Sequence, residues 1–476
     1  MSHHHAAFDF HSKRSRLGFG YSLQSRLSSN QYEREALVLK IKLLEEYEPH
    51  ISAAIDGPTK FVVGKGIFPF PMTGSDEYKK DFKEKFMNWA KNSQICDKGG
   101  KFNWVKMQKM ADRSRRAYGE SFIFYQSSVN DFPQFQIVDP LLVRSGSSNR
   151  NNVRDGIRFD SNDRPLGCYV SNAKISRFDT STKFFARNLY AHIANYPSAH
   201  HLRGRTPFHN SATVVHDLLD LLTSEKDAHA THLGLAAHIK KKRQSTYNME
   251  DNFDENDEIV EEEITGEKPE DKEQGFAQIR GATMVESPDI EEVKLLSSNR
   301  QTAALKDLVE LCLRQVSYSC GYTYEFLFDL SSLGGVTARI DLESNYKAIE
   351  NEQNDLIDEV LYPFVRFWVA KMIKEGRLED PPEDFFKIGF RCPAKATADI
   401  KHNGKNAREN IDYRLVTRSE TIEDTGRSYE DFVRQNIEDI ELEKRLVEES
   451  SLEWEEYTET IKKSEQKPEP KENELS

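Results

Sequence analysis

The stretch FMNWAKNSQICDKGGKFNWVKMQKMADRSRRAYGESFIFY, residues 86–125, decides the fold. Its apolar spacing predicts helix, helix and strand over residues 79–91, 101–118 and 122–126, and a second strand follows over 135–139. Phe82, Phe86 and Trp89 lie on one face of the first of these helices. Helices and strands mix here without strict alternation, which favours an α+β fold over a doubly wound parallel sheet.

Three segments flank this stretch. Leu37, Ile41 and Leu44 recur at helical spacing, which predicts a helix over 31–57 that ends at Gly57-Pro58. KFVVGKGIF (60–68) is typical of a short strand or extended turn. Residues 156–170 predict a β-hairpin with Asn162-Asp163 at its turn.

Two long helices are predicted further along the chain. The first covers 206–243, because Thr206 can cap a helix and Pro207 suits its first position. The second covers 301–320 and ends at Gly321. The first helix ends in a basic run whose members are candidate phosphate contacts or, alternatively, a solvated helix terminus: Lys240, Lys241, Lys242 and Arg243.

The segment between these helices is strongly acidic. Residues 250–273 contain thirteen acidic residues and two lysines. Because the segment has too few apolar residues to fold alone, we expect a mobile insertion there. A strand pair around Gly281 is predicted over 276–286.

A loop and a helical C-terminal part complete the pattern. The loop, FDLSSLGGVTAR (328–339), offers backbone freedom at Gly334 and Gly335. The segments predicted after it are a helix over 337–375 with a kink at Pro363, a short helix from Ser419 to Gly426, and a helix over 429–448 capped by Ser428.

Composition excludes several classes of protein. The 476 residues carry a net charge of −13, whereas a DNA-binding protein ordinarily shows a basic face. There is no apolar signal-peptide stretch and no membrane-length apolar run, so we expect a protein without a membrane partner. The five cysteines form no CxxC pair.

Enzyme motifs are also missing from the sequence. Gly64-Lys65-Gly66 lacks the Ser/Thr that holds magnesium in a phosphate-binding loop, so we expect no ATP hydrolysis. Six histidines suggest a metal site, but no HExxH-type pattern completes one: His192, His200, His201, His229, His232 and His238. We therefore predict no catalytic residue, no cofactor and no metal.

The order of these landmarks resembles that of portal proteins of tailed bacteriophages, in the lambda-like family. The resemblance covers about residues 30–445 and rests on FVVGKGI (61–67), the quoted stretch 86–125, FQIVDPLLV (135–143), GIRFDSNDRPLGCYV (156–170), HLRGRTPF (201–208) and residues 304–332. After the loop, Ala338-Arg339 keeps half of a family Ser-Ser-Ala-Arg pattern without the serine pair.

The resemblance implies a portal fold, in which a wing, a two-helix stem, a clip, a tunnel loop and a helical crown follow one another. In chain order, the parts would be a flexible N-terminal arm (1–30), the α+β wing (31–205), the first stem helix (206–243), the clip with its acidic insertion (244–300), the second stem helix (301–320), the tunnel loop (321–340), a long wing helix (341–376), the crown (377–460) and a disordered tail (461–476).

The function implied is that of a head–tail connector. Such proteins form a homo-oligomeric ring, usually of twelve copies, at one capsid vertex of the virion, and double-stranded DNA passes through it non-specifically during packaging and ejection. The implied partners are the terminase large subunit, the major capsid or scaffold protein, and head–tail adaptor proteins. The tunnel-loop residues facing the DNA would be Ser331, Ser332, Leu333, Gly334 and Gly335.

Two alternatives stay open on the sequence alone. The chain could be another virion connector or minor capsid protein, although those are usually shorter and lack two stem-like helices around a variable insertion. A more remote alternative is a metal-dependent hydrolase that uses the histidines.

Overall fold

The computed structural model divides the chain into two compact units. Unit 1 contains residues 1–211 and 316–476, and unit 2 contains residues 212–315. The structure describes residues 31–128, 130–145, 152–171, 182–199, 201–234, 276–279, 282–285, 302–329, 334–379, 384, 386–395, 400–423, 425–427, 429–450, 454 and 457–459. The predicted arm (1–30), basic run (240–243), acidic insertion (250–273) and tail (461–476) lie outside these residues.

The described helices follow the chain in this order: α1 (Gln31–Tyr47), α2 (Pro49–Val62), α3 (Asp76–Lys91), α4 (Ser93–Cys96), α5 (Trp104–Tyr118), α6 (Ala212–Gly234), α7 (Thr302–Cys320), α8 (Tyr324–Leu327), α9 (Gly335–Leu356), α10 (Tyr362–Lys374), α11 (Ile400–Asp412), α12 (Arg418–Glu423) and α13 (Tyr429–Glu449). None of the described helices is both long enough and apolar enough to span a lipid bilayer.

The strands form small antiparallel sheets. They are β1 (Phe68–Pro71), β2 (Glu120–Ser127), β3 (Pro133–Val138), β4 (Val153–Arg154), β5 (Ile157–Phe159), β6 (Pro165–Ser171), β7 (Thr182–Ala186), β8 (Tyr190–Ala194), β9 (Phe276–Ile279), β10 (Ala282–Val285) and β11 (Ile388–Arg391). Their pairing orders are β3-β2-β8, β4-β5-β6-β7, β1-β11 and β9-β10. The mixture of helices with antiparallel sheets confirms the α+β prediction.

Both predicted hairpins are confirmed. β5 and β6 pair with Asp163 at a φ of 59° in the turn between them. Asp160 accepts backbone hydrogen bonds from Asn162 and Arg164, which closes that turn. β9 pairs with β10 through Ile279 and Ala282, on either side of the predicted Gly281.

Two predictions near the N-terminus differ from the structure. The helix predicted over 31–57 is wrong, because α1 ends at Tyr47 and α2 continues through Pro58 to Val62. The segment 60–68, predicted as a short strand or extended turn, completes α2, then forms a turn over 63–65, and β1 starts only at Phe68. Packing explains the difference, because Pro58 is buried and the Thr59 hydroxyl donates a 2.6 Å hydrogen bond to the buried Asp112. That tertiary contact outweighs the local preference of Gly57-Pro58 to end a helix.

An aromatic cluster forms part of the core of unit 1. Trp368 packs edge-on against Phe82 and Phe86, with ring centroids 5.4 and 5.1 Å apart. The Trp104 indole N–H donates to the carbonyl oxygen of Ile67 at 2.9 Å, so its one polar atom is satisfied. The face predicted for helix 79–91 is thus the face that α3 buries.

The long helix after the loop packs on the sheets and helices of residues 49–194. Gln353 of α9 donates to the carbonyl oxygen of Val62 at 3.0 Å. The predicted irregularity lies just before Pro363, as a π-helical turn over Ile357–Leu361. A wider turn there accommodates the proline ring and its missing N–H. Gly376, with a φ of 64°, follows the end of α10 as predicted.

In the C-terminal part, α12 and α13 match the two predicted helices, whereas α11 has no counterpart among the predictions. Its sequence, IKHNGKNARENID, contains a glycine, which disfavours helix, and only three apolar residues, Ile400, Ala407 and Ile411. The predicted cap residue Ser428 lies outside the described residues.

Candidate functional site

The two predicted stem helices share unit 2, which contains α6 and the part of α7 up to residue 315. Burial and the nearby carboxylate of Asp217, on α6, raise the pKa of the Cys312 thiol on α7. Val215, Leu218 and Leu313 are buried, whereas Leu311 leaves 52% of its surface exposed. The first helix starts at Ala212 rather than at 206, because Thr206 instead caps a single 3-10 turn over Pro207–His209.

The ends of the same two segments meet in unit 1. The hydroxyls of Ser211, just before α6, and Ser319, near the end of α7, share a 2.8 Å hydrogen bond. Ser319 also donates to the carbonyl oxygen of Val316 at 2.7 Å. The chain therefore leaves and re-enters unit 1 at one point, and α6 and α7 run in opposite directions.

Just before this point, two loops touch backbone to backbone. Gly119 has a φ of 89°, and a Cβ there would lie 2.3 Å from the carbonyl carbon of Arg205. A Cβ on Gly204 would lie 2.1 Å from the carbonyl oxygen of Gly119. The Thr206 hydroxyl donates to the carbonyl oxygen of Ala117 at 2.7 Å. Only glycine fits at either position.

A buried ion pair completes this contact. The Arg203 guanidinium donates to both carboxylate oxygens of Glu120, at 2.6 and 2.9 Å, and both side chains are fully buried. It also donates to the carbonyl oxygens of Pro140 and Val143. Burial alone would raise the pKa of Glu120, but the Arg203 charge holds that pKa well below its usual range. We call Gly119, Glu120, Arg203, Gly204 and Thr206 the stem root.

His192 is a further partner of Glu120. Its Nε2 lies 3.0 Å from the Glu120 carboxylate, and its Nδ1 lies 3.4 Å from the Tyr196 hydroxyl. Burial lowers the pKa of His192 despite the neighbouring carboxylate, so the ring is neutral at pH 7 and donates from Nε2. This histidine is therefore occupied in a structural network.

A second charged network joins α5 to α9. Arg116 donates to Glu352 at 2.6 Å and to Asp112 at 3.0 Å. Tyr322, which follows α7, donates its hydroxyl to Glu352 at 2.8 Å. Burial would raise the pKa of Asp112, but the Arg116 and Arg115 charges lower it. The network fixes the chain after the second stem helix to the long helix.

The first turns of α9 contrast with these networks. Val336 and Ile340 leave 72% and 64% of their surfaces exposed, and no described atom lies within 4 Å of a Cβ built on Gly334 or Gly335. Close packing of α9 begins only at Asn345, whose side-chain amide donates to the Thr323 hydroxyl at 2.9 Å. Val336 and Ile340 at the start of α9 are thus largely exposed.

The predicted tunnel loop differs from its expected form. Residues 324–327 form α8 and Gly335 already belongs to α9, so the segment 321–340 is partly helical. Gly334 has a φ of −70°, which any residue adopts, so the expected glycine freedom is not used at this position. Ser331, Ser332 and Leu333 lie outside the described residues, as do Lys240, Lys241, Lys242 and Arg243.

The sequence does not predict the stem root. The segment HLRGRTPF (201–208) contributes to the resemblance and offers Thr206-Pro207 as a helix start, but nothing local shows that Arg203 pairs with Glu120. The available signal was a glycine beside an arginine directly before a Thr-Pro helix start. Among the described residues, no three His, Cys, Asp or Glu side chains are grouped as metal ligands.

Comparison with known proteins defines the class. Residues 13–353, well over half of the chain, match the family model described as phage portal protein, lambda family. The protein is therefore a portal protein, a structural head–tail connector at a capsid vertex of a phage-like particle. More specifically, the chain belongs to the lambda family of phage portal proteins.

Solved structures similar to this chain come from gene transfer agent (GTA) particles. One, described as "Neck of native GTA particle computed with C12 symmetry", shares 8% identity, covers 80% of this chain and 91% of that chain, and has a TM-score of 0.44. Another, described as "Virion of native gene transfer agent (GTA) particle", shares 9% identity with the same coverages and a TM-score of 0.41. No curated protein sequence matches the chain.

Proposed function

We propose that twelve copies of this chain form a ring through which double-stranded DNA enters and leaves the particle without sequence-specific recognition. Membership of the portal family supports the ring, and the antiparallel pair α6–α7 supplies a stem that can repeat around an axis. A symmetric ring needs a head-to-tail interface between copies. Leu308 and Leu311 of α7, 44% and 52% exposed, are apolar side chains available for it.

The start of α9 lines the channel in this proposal. The observation that carries it is the exposed start of α9, where Val336 and Ile340 face solvent. Further along the helix, Asn345 and the Arg116–Glu352 network hold α9 in place. Apolar side chains and a glycine make no hydrogen bonds with base edges, so the duplex slides past without sequence readout. Ser331–Gly335 remain part of the proposed tunnel segment.

The charge balance supports a conduit rather than a binding protein. Duplex DNA carries about one negative charge per 1.7 Å of its axis, and a basic wall holds it by releasing counterions. A chain with a net charge of −13 provides a bore that DNA does not stick to. Lys240–Arg243 are proposed as phosphate contacts at the end of the first stem helix.

The remaining parts of the proposal concern partners and energy. The segment 244–300 docks the terminase large subunit and later the head–tail adaptor proteins, and the major capsid or scaffold protein binds the outer surface of the ring. The chain itself does not hydrolyse ATP, because Gly64-Lys65-Gly66 lacks the magnesium-binding Ser/Thr. The terminase supplies the energy.

Deleting Ser331–Gly335 tests the channel assignment. Negative-stain images should show rings with a central hole like those of the unaltered chain, whereas packaging assays should show a marked loss of packaged DNA. Asn162→Gly, in the exposed β5–β6 turn, is the control and should affect neither. Normal packaging after the deletion would reject the tunnel segment, and an unaltered chain that stays monomeric would reject the ring.

A further inference from the structure

A basic cleft lies in unit 1 between the first helices and the C-terminal part. Its volume is about 1190 Å³, and its walls come from the end of α2, β1, α3, β11 and residues 419–434. Side chains that matter for its chemistry are Lys60, Lys65, Phe70, Lys80, Arg391 and Arg427. The function proposed above does not use this cleft.

The cleft has a net positive charge, whereas the chain as a whole has a net negative charge. Eight lysines and arginines line it against four aspartates and glutamates, a surplus of four positive charges in a chain whose net charge is −13. Three of the cations are already paired with lining carboxylates: Lys79 with Asp76 at 4.0 Å, Lys83 with Asp431 at 2.6 Å and Arg434 with Glu430 at 2.7 Å.

The other cations have no such partner. Within the described part of the chain, no carboxylate lies within 4.0 Å of the charged groups of Lys60, Lys65, Lys80 or Arg427, and all four residues are exposed. Arg391 stacks on the Phe70 ring, with its guanidinium carbon 4.6 Å from the ring centroid. Its buried Nε has no hydrogen-bond acceptor among the described residues. Anionic oxygens are the groups that would satisfy these donors.

The turn that presents Lys65 is conformationally special. Gly64 and Gly66 have φ angles of 48° and 110°, and a Cβ on Gly66 would lie 2.6 Å from the side chain of Val105. The turn is thus held against α5 on one side, while Lys65 stays exposed on the other. The Gly-Lys-Gly segment, which fails as a phosphate-binding loop of an ATPase, places a lysine on the rim of the cleft.

We propose that this cleft binds the phosphate backbone of duplex DNA, as a contact for the packaged genome in addition to the channel. The unpaired lysines are exposed, whereas Phe68 is half-buried and Pro69 is buried, so a wide polyanion can contact the lysines from outside the cleft. This inference rests on the proposed function, because it needs a ring whose surroundings contain DNA.

The test compares two triple variants of the full-length chain. Lys60→Gln, Lys65→Gln and Lys80→Gln remove the unpaired rim lysines. Lys101→Gln, Lys106→Gln and Lys109→Gln remove three exposed lysines outside the cleft, so both proteins lose the same charge. Fluorescence anisotropy with a labelled 20-bp duplex would be measured from 50 to 200 mM salt, with negative-stain images of the same samples.

The cleft variant should bind at least about tenfold more weakly at 50 mM salt, and its plot of log affinity against log salt should be shallower by about 3, roughly one per phosphate contact. The control variant should lose about threefold or less, because distant exposed charges are screened. Equal losses in both variants would overturn the inference. So would binding of a polyglutamate peptide to the cleft without binding of DNA, which would favour an acidic protein partner.

The images separate this inference from the proposed function. Rings with a DNA affinity unchanged by the cleft variant would overturn the inference and leave the portal function standing. If the unaltered chain formed no rings, the proposed function itself would fail.

Discussion

The stem root and the start of α9 both belong to unit 1, but the first is tightly packed and the second is exposed. At the stem root, Arg203 and Glu120 are fully buried and bonded, and a Cβ on Gly204 would lie 2.1 Å from a neighbouring backbone oxygen. At the start of α9, Gly334 meets no described atom within 4 Å, and Val336 is 72% exposed. The first region tolerates no change of shape, whereas the described residues of the second leave space around Gly334 and Gly335.

This difference separates what holds the connector together from what meets its cargo. A part that transmits position must be rigid, and buried charges with complete hydrogen bonding achieve this, since a missing partner is costly. A part that touches sliding DNA need only be present and weakly adhesive. Substitutions should therefore affect stability at the stem root, and function without stability at the start of α9.

Arg203→Ala should have the largest effect. It leaves Glu120 buried without its closest cation, with the neutral His192 ring and the more distant Arg34 at 3.7 Å among the remaining partners, and losing one partner of a buried pair costs about 3–5 kcal/mol of unfolding free energy. Urea denaturation followed by circular dichroism would measure the change. Arg205→Ala, two residues away and with no buried ion pair in the described structure, is the matched control. The combined variant Arg203→Met with Glu120→Leu should recover much of the loss, and equal losses in both single variants would contradict the role of the pair.

Gly119→Ala against Gly335→Ala compares the two regions directly. Alanine at 119 meets both a φ of 89° and backbone atoms 2.3 Å away, so the loss of unfolding free energy should exceed about 1 kcal/mol. Alanine at 335, in the first turn of α9 with open space around it, should be neutral or stabilise by up to about 1 kcal/mol. Thermal melting of the two variants side by side gives the answer. Similar losses of unfolding free energy at both sites would contradict the difference in packing between the stem root and the start of α9.

A smaller effect concerns pH. Because the pKa of His192 is lowered in the folded chain, the unfolded chain binds the proton more readily, and stability should fall as pH drops below about 6.5. Glu120 acts in the same direction at lower pH, since its depressed pKa contributes stability that is lost below about 4.3. His192→Gln should reduce the loss of unfolding free energy between pH 7 and pH 5, as measured by urea titrations. His216→Gln, at an exposed position, should leave it unchanged.

Val336→Ser with Ile340→Ser should change stability least. Both side chains are mostly exposed, so the free energy of unfolding should move by no more than about 0.5 kcal/mol. Ring assembly should persist in negative-stain images, while the rate of DNA packaging changes. A large drop in melting temperature would show that these side chains are packed after all, and the contrast with the stem root would disappear.

Local patterns in the sequence accounted for most elements and for their order. The apolar face of α3, the strands β2 and β3, the Asp163 turn and the β9–β10 pair follow from spacings of two to four residues and from turn chemistry. These features depend on neighbours along the chain. A single sequence therefore contains enough information to predict them, and together they carried the family resemblance.

Only the tertiary structure decided how those elements are held. Arg203 and Glu120 lie 83 positions apart in the chain, and Arg116 and Glu352 lie 236 apart. No periodicity links such residues, because their pairing depends on which surfaces meet after the backbone has folded. Packing likewise kept Pro58 inside a helix, against the local preference of Gly57-Pro58 to end one. Short-range backbone preferences are worth about 1 kcal/mol each, whereas buried side chains contribute several, so burial prevails where the two conflict.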